Sequence, residues 1–493
     1  MFEKFKEGVR QRMRSFLHIE PAQSYSLSIN ELLDFNTNAF LNNVWYRGEA
    51  YELEQIYKQI PYENKSFWGS VPTEGIEIRK IHTGLPETIV NTLTSIVIDD
   101  INTITIKDNV KEEIWKQIEK ENKFKNVLES AINKTLVVGD GAFKISLDTD
   151  ISEHPIIEFF SADRIRIVRK RGRITAIVFI TKYVYKNKGY TLEEEYGYGY
   201  INYRLYSGDK EVPIDTIPDT AELKNVTFTK ELMMAELIYF YESDRYEGRG
   251  KSIYDAKKDN FDALDEAWSQ WIDALRAGRS KTYIPEDLIP RDAKTGKLMK
   301  PNAFDNRFIK LAMPTSENAD SKIDVEQTAI PHDSYLTTYA NALDLCLQGL
   351  ISPSTLGIDG NKIKDDTATA QLGREKVTMY TRGKIIDALQ DILPSLITKV
   401  LQVVDVKNNK SIEDVEVDVP FGEYNSPAFD AVVDTVSKAK TGGVMSIDTC
   451  VEELYGDSKE EAWKKEEVAR LKAEQGITEV EEPALGSDVI VTE

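Results

Sequence analysis

The stretch from Pro331 to Val406 constrains the chain most, because it reads as helix, loop, long helix with an unusually long loop. The first helix is expected over Ser334–Leu350 (SYLTTYANALDLCLQGL). The loop follows over Ile351–Asp366 (ISPSTLGIDGNKIKDD), where Pro353, Gly357 and Gly360 stop a helix. The second helix starts near Thr367 and passes Val400, with Pro394 inside it, where the missing N–H is expected to kink it. Structureless loops beyond about 12–15 residues are rare inside a domain and are either functional or disordered.

The chain has 493 residues, more than one hydrophobic core organises, so about two to four domains are expected. It contains no run of eighteen or more apolar residues, so no membrane-spanning helix is expected. The first residues (MFEKFKEGVRQRMRSFLHIE) are basic but lack the apolar core and cleavage site of a secretory signal. Phe2, Phe5, Val9, Met13 and Phe16 share one helical face, which suits packing on the chain's own domain or a docking arm. The two cysteines, Cys346 and Cys450, have no CxxC partner, so neither a zinc site nor a disulfide scaffold is expected, and a reducing compartment is. His18, His82, His154 and His332 form no HxxxH or HExxH pattern, so no catalytic metal and no cofactor is expected. The net charge of −21 argues against a protein that grips phosphates over its whole surface.

Taken in order, helices are expected within 25–70, over Gly84–Asp99 with Pro86 at its start, and as one long element over Lys111–Val138, ending at Gly139-Asp-Gly141. Ser28 and Glu31 have capping-box spacing. Ala142–Leu147 alternates as a strand, and period two then dominates from Pro155 to Tyr241. Strands are expected at Ile156–Phe160, Ile165–Val168, Ile174–Tyr185, Tyr190–Tyr206 and Leu237–Tyr241, giving an α+β domain on antiparallel strands. The tyrosines of EEEYGYGYINYRLY (Glu193–Tyr206) suit a sheet face better than a base-stacking platform. Gly250-Lys251-Ser252 tempts a phosphate-loop reading, but the glycine a Walker pattern needs is replaced by Arg245.

Asp255–Ala277 reads as a helix with Phe261, Leu264, Trp268, Trp271, Ile272 and Leu275 as its packing stripe. Asp259, Asp262, Asp265, Glu266 and Asp273 are expected largely off that stripe. Tyr283–Ile330 is a small insert of short strands and turns, with Lys294-Thr-Gly296 as a hairpin tip, projecting from the shared end of the helices that flank it. A strand is expected at Ile412–Val419, then helices at Ser426–Lys440, Ser446–Tyr455 and Ser458–Glu474, and an acidic tail.

The order of pieces is similar to one family. An α+β domain leads into GRGKSIYDAKKDNFDALDEAWSQWIDALRAGRSKTYI (Gly248–Ile284). An insert precedes GLISPSTLGIDGNKIKDDTATAQLGREKVTMYTRGK (Gly349–Lys384), and GGVMSIDTCVEELYGDSKEEAWKKEEVARLKAE (Gly442–Glu474) closes the chain. Over essentially its whole length it resembles the portal proteins of tailed bacteriophages, of the siphophage type found with Gram-positive hosts. The resemblance implies an α+β, multidomain portal fold with a wing of mixed helices and antiparallel strands, a helical stem, a small α/β clip and a helical crown. The implied divisions are wing 1–254, stem helix 255–278, clip 279–331, second stem helix 332–350, tunnel loop 351–366, kinked helix and wing return 367–425, crown 426–475 and disordered tail 476–493.

It further implies a ring of about twelve subunits. The ring passes double-stranded DNA, with terminase large subunit, head-completion adaptor, and major capsid and scaffolding proteins as partners, no membrane, and residence in the virion after assembly in the host cytoplasm. Lys362 and Lys364, flanked by Asp359, Asp365 and Asp366, then become the residues that touch moving DNA briefly; by themselves they equally suit a solvated loop. Two other functions compete: a DNA enzyme, either phosphate-handling through Gly250-Lys251-Ser252 or a carboxylate-metal nuclease, and another ring-forming connector component, which would be shorter.

Overall fold

The computed structural model describes residues 31–60, 66–71, 78–229, 231–278, 281–285, 291–297, 308–311, 324–326, 329–358, 368–422, 429–455 and 461–474, together with Lys6. The expectations for the N-terminal arm, the capping box at Ser28, the loop residues 359–366 and the acidic tail lie outside them.

The first half opens with α1 (Phe35–Arg47), α2 (Ala50–Gln59) and α3 (Leu85–Asp99). Asp34 caps α1 by accepting from the Thr37 amide, Gly48 ends it in the left-handed conformation, and Pro86 sits in the first turn of α3. After β1 (Thr105–Ile106) the expected single helix is two: α4 (Asn109–Asn122) and α5 (Phe124–Val138). They break at Lys123, a lysine with φ 48°, so the apolar pattern continues across a reversal that no proline or glycine marks.

β2 (Asp140–Ser146) and β3 (Ile156–Ser161) pair antiparallel. A larger antiparallel sheet follows from β4 (Ile165–Lys170), β5 (Arg173–Tyr185), β6 (Lys188–Gly197), β7 (Tyr200–Ser207) and β8 (Lys210–Val212), with β9 (Val226–Thr227) pairing β7. The expected single strand Tyr190–Tyr206 is therefore a hairpin, with Gly197 registered on Tyr200 and Gly199 at φ 81° in the turn. Tyr183, Tyr185, Tyr190 and Tyr203 pack around buried Leu192, Leu205 and Ile217, as a sheet face requires. β10 (Ala235–Tyr239) joins β2 to make a three-stranded sheet.

Then comes α6 (Lys258–Ala277), starting three residues later than expected. The insert contributes β11 (Lys281–Pro285), β12 (Phe308–Leu311) and β13 (Asp324–Glu326); β11 is central, parallel to β12 and antiparallel to β13. Asp292 accepts from the Lys294 and Thr295 amides, forming the expected Lys294–Gly296 turn. The chain returns as α7 (His332–Leu347) and, after the loop, as the 40-residue α8 (Ala368–Lys407), continuous through Pro394. The strand expected over Ile412–Val419 contracts to β14 (Val417–Asp418), paired with β1. Its alternating Val–Glu–Val–Asp is too polar and too exposed to join a larger sheet. Three helices end the described chain: α9 (Phe429–Thr441), α10 (Ile447–Tyr455) and α11 (Glu461–Glu474).

One continuous core joins α1–α5, β2, β3, β10, α6 and the second half of α8. Ile385, Leu389, Leu393, Leu396, Ile397, Val400 and Leu401 of α8 are all buried at helical spacing, so the long helix is the spine on which the α+β part closes.

The tempting Gly250-Lys251-Ser252 is consumed by packing. Arg249 makes a paired contact with fully buried Asp140 (Nε and Nη2, each 2.8 Å) and lies 3.6 Å over the Phe35 ring. The Gly250 amide also donates to Asp140, the Ser252 hydroxyl donates to Val137 O, and Lys251 pairs with Asp244 at 3.4 Å. A Cβ on Gly250 would sit 2.1 Å from Gly139 O. Gly250→Ala is therefore expected to lower the melting temperature by the equivalent of about 1–3 kcal/mol. Lys251→Ala is expected to stay within about 0.5 kcal/mol in the same thermal denaturation series.

Candidate functional site

α6 and α7 lie side by side, and the insert leaves from their common end. At that end Gly278 packs so closely on Ile330 that a Cβ would stand 2.5 Å from it. Along the pair the contact is aromatic. Trp271 stacks on Tyr335 (centroids 6.5 Å, 10° between planes), Trp268 meets Tyr339 at 5.5 Å, and Trp268 meets Trp271 edge-on at 5.8 Å. At the opposite end, Lys257 Nζ and Asn260 Nδ2 both donate to Leu345 O (2.8 and 3.1 Å), satisfying a carbonyl in the last turn of α7.

Of the expected stripe, Phe261 and Leu264 are in the core, Trp268 and Trp271 are half-buried between the helices, Ile272 is half-buried, and Leu275 is 45 % exposed. The acidic residues do not all fall off that stripe: Asp262 and Asp265 are buried, Asp265 completely. Asp265 Oδ2 accepts from Trp68 Nε1 (3.1 Å) and lies 2.7 Å from His82 Nδ1. Its Oδ1 accepts from both the amide and the hydroxyl of Thr83 (2.9 Å each). Asp262 accepts from the amides of Phe67 and Trp68 (2.7 and 3.1 Å), and Ser269 Oγ accepts from the Ile81 amide (2.9 Å). Three side chains at i, i+3 and i+7 of α6 thus pin two irregular segments, at 66–70 and 80–83, to the base of the helix pair. Lys80 closes the cluster by donating to Trp68 O and Ser70 O. Lys258, one turn earlier, donates to Asn42 Oδ1 (2.9 Å), and burial pulls it down to about 8.

Sequence reasoning missed this cluster, although the spacing held the signal. Asp265 is four residues after Phe261 and three before Trp268, which puts it on the stripe itself. His82 reads as an isolated histidine until the fold brings it to Asp265. Among the described residues no group of three or more His, Cys, Asp or Glu side chains is placed to hold a metal ion.

After α7 the chain docks onto α8 before reaching the candidate loop residues. Ile351 and Ser352 are buried, the Ser352 amide donates to Thr378 Oγ1 (2.9 Å), and Thr355 Oγ1 lies 2.8 Å from the same oxygen. A short 3₁₀ turn, Pro353–Leu356, ends at Gly357 with φ 69°. Asp359, Lys362, Lys364, Asp365 and Asp366 lie outside the described residues. One turn beyond Thr378, Arg382 pairs with Asp100 and donates to Gly422 O (2.6 Å), fixing this part of α8 to the α+β core. No described helix is long and apolar enough to cross a membrane.

A sequence model of the family described as "Phage portal protein, SPP1 Gp6-like" matches residues 37–479. A search of curated proteins returns no match. Solved structures similar to the chain include one from the virion of a native gene transfer agent particle, at 14 % identity and TM-score 0.39, covering 73 % of this chain and 87 % of the other. Another comes from the neck of an empty particle of that kind, computed with C6 symmetry, at 12 % identity and TM-score 0.36 with the same coverage.

Asp265→Ala is expected to cost about 3–5 kcal/mol, because four donors lose a buried charged acceptor. Asp259→Ala, on the exposed side of the same helix, is expected to cost less than about 0.5 kcal/mol by the same denaturant titration. Burial raises the Asp262 carboxyl to about 6, above its value in the unfolded chain. Its contribution is therefore full below about pH 4 and is lost as pH rises through about 6. Asp262→Asn is expected to flatten that part of the stability–pH curve; an identical curve for the variant would contradict the assignment.

Proposed function

Because the chain belongs to the SPP1 Gp6-like family of phage portal proteins, we propose that it forms the ring at one capsid vertex through which double-stranded DNA is packaged and ejected. The single observation that carries this reading is the family match over residues 37–479, which runs from the first turn of α1 through α11. The ring has about twelve copies, in a phage or related particle of a Gram-positive host, assembled in the host cytoplasm and retained in the virion. α6 and α7 are the stem, 279–331 the clip, and the α+β core with the second half of α8 the wing. The helices from α9 onward are the crown.

The geometry supports the reading in three ways. The aromatic zipper makes α6 and α7 a stiff unit, which suits a strut between two ends of a ring. Leu275 on α6, with Leu336 and Leu345 on α7, leaves apolar side chains open on the single subunit, where a neighbouring copy would cover them. The chain leaving Ile351 is tied to α8 where the Ser352 amide donates to Thr378, which gives the loop a fixed base. Lys362 and Lys364 touch passing phosphates, and Asp359, Asp365 and Asp366 keep those contacts brief.

Terminase large subunit and the head-completion adaptor dock on the clip, and major capsid and scaffolding proteins meet the wing. The chain does no catalysis of its own, since the packaging motor is the terminase. The groups of Gly250-Lys251-Ser252 that a phosphate-handling enzyme would use are engaged elsewhere in the fold.

Shortening the loop within 358–366 is expected to leave subunit folding and assembly intact while reducing the yield of DNA-filled particles at least tenfold. Normal packaging by the shortened protein would sink the loop's role.

A further inference from the structure

The turn between β4 and β5 contradicts the charge of the rest of the chain. Residues 164–173 (RIRIVRKRGR) hold six cations and no carboxylate, in a protein of net charge −21. Three of the six have local explanations. Arg164 lies 4.5 Å over the Phe160 ring, Arg166 pairs with Glu193 at 2.6 Å, and Arg169 donates to Gly172 O (3.2 Å) and Gly248 O (3.1 Å). The last contact clamps the turn onto the loop that contains Gly248. That loop also carries exposed Glu247 and Asp244, the latter paired with Lys251 at 3.4 Å.

Lys170, Arg171 and Arg173 are exposed and make no ion pair among the described residues. Lys170 is registered opposite Arg173, so their side chains leave the hairpin end together. Arg171 and Gly172 have φ of 51° and 79°, a mirror-image turn in which the first position ordinarily goes to Asn, Asp or Gly. Turn chemistry does not account for an arginine there. Cations on an edge strand can also guard against edge-to-edge pairing, and β4 is such an edge. That accounts for Lys170 and, because β6 pairs β5 only from Ala176 onward, for Arg173 as well, but not for Arg171, in the turn.

We propose that this hairpin tip, through Lys170, Arg171 and Arg173, binds the phosphate backbone of duplex DNA from outside the channel. Two guanidinium groups and an ammonium, held on a preformed turn and paired with no carboxylate among the described residues, suit a phosphate chain. The tip has no aromatic side chain to stack on a base, so the contact is independent of sequence. One tip is weak; copies repeated around an assembly act together. The portal reading enters only in bringing duplex DNA alongside the subunit.

The test uses full-length protein and a covalently closed circular duplex, which cannot be threaded through a closed ring. Binding is measured at several salt concentrations for wild type and for K170Q/R171N/R173Q, with melting curves to verify folding and sedimentation velocity to record assembly. The variant is expected to bind at least tenfold more weakly, with a log–log salt slope shallower by about 2.7 for each tip engaged, the effect of three lost phosphate contacts per tip. Equal affinity and slope for the two proteins, or no salt-dependent binding by wild type, would overturn the inference. So would tip-dependent binding of polyglutamate without tip-dependent binding of DNA, which would make the partner an acidic protein. An assembled ring that binds the circle regardless of the tip refutes the tip alone. A monomer that binds through the tip refutes the ring and leaves the tip standing.

Discussion

The carboxylate of Asp265 is the point on which the helix pair depends. A fully buried charge is tolerable only when its oxygens are occupied, and here an indole, an imidazole, an amide and a hydroxyl occupy them. All four come from two segments without regular structure, at 68 and 82–83. The interaction thus does for the first-half chain what a strand pairing would do elsewhere: it fixes irregular backbone at one place on α6. Asp262 and Ser269 repeat the device a turn away on either side. The direction in which α6 leaves the core is set by these contacts, and α7 follows through the tryptophan–tyrosine zipper.

Much of this was legible from residue order. The period-two region, the α3 and α6 helices, the insert between two helices and the long α8 all appear where hydrophobic spacing puts them. The failures have physical causes. Lys123 turns the chain with a positive φ that no glycine announces, so two helices read as one. The tyrosine run kept alternating through a hairpin turn, because Tyr198 and Tyr200 preserve the pattern while Gly199 reverses the chain. Asp262 and Asp265 were set outside the packing stripe on the general rule that carboxylates face water. That rule fails where tertiary donors converge, and no local sequence shows that Trp68, His82 and Thr83 will do so.

Charge is distributed with similar selectivity. The chain as a whole is acidic, which suits a surface that DNA must pass without adhering. Against that background, a hairpin tip with three cations that make no ion pair among the described residues concentrates the opposite sign at one end of β4 and β5. A net acidic chain and a local basic contact are compatible when the cations are confined to one turn of the large sheet. Ahead of the loop, Ser352 is tied to Thr378, on a helix whose other half is the core's spine. Arg382, with its partners Asp100 and Gly422, is the next fixed point along α8.

The central claim is that this subunit closes with copies of itself around a channel. Electron microscopy of the purified full-length protein tests it most directly. Rings of about twelve subunits with a central hole are expected, with α6 and α7 running along the wall and the insert at one end. A population of compact monomers at the concentrations used for imaging, or rings whose wall is built from the large sheet instead of the helix pair, would contradict it.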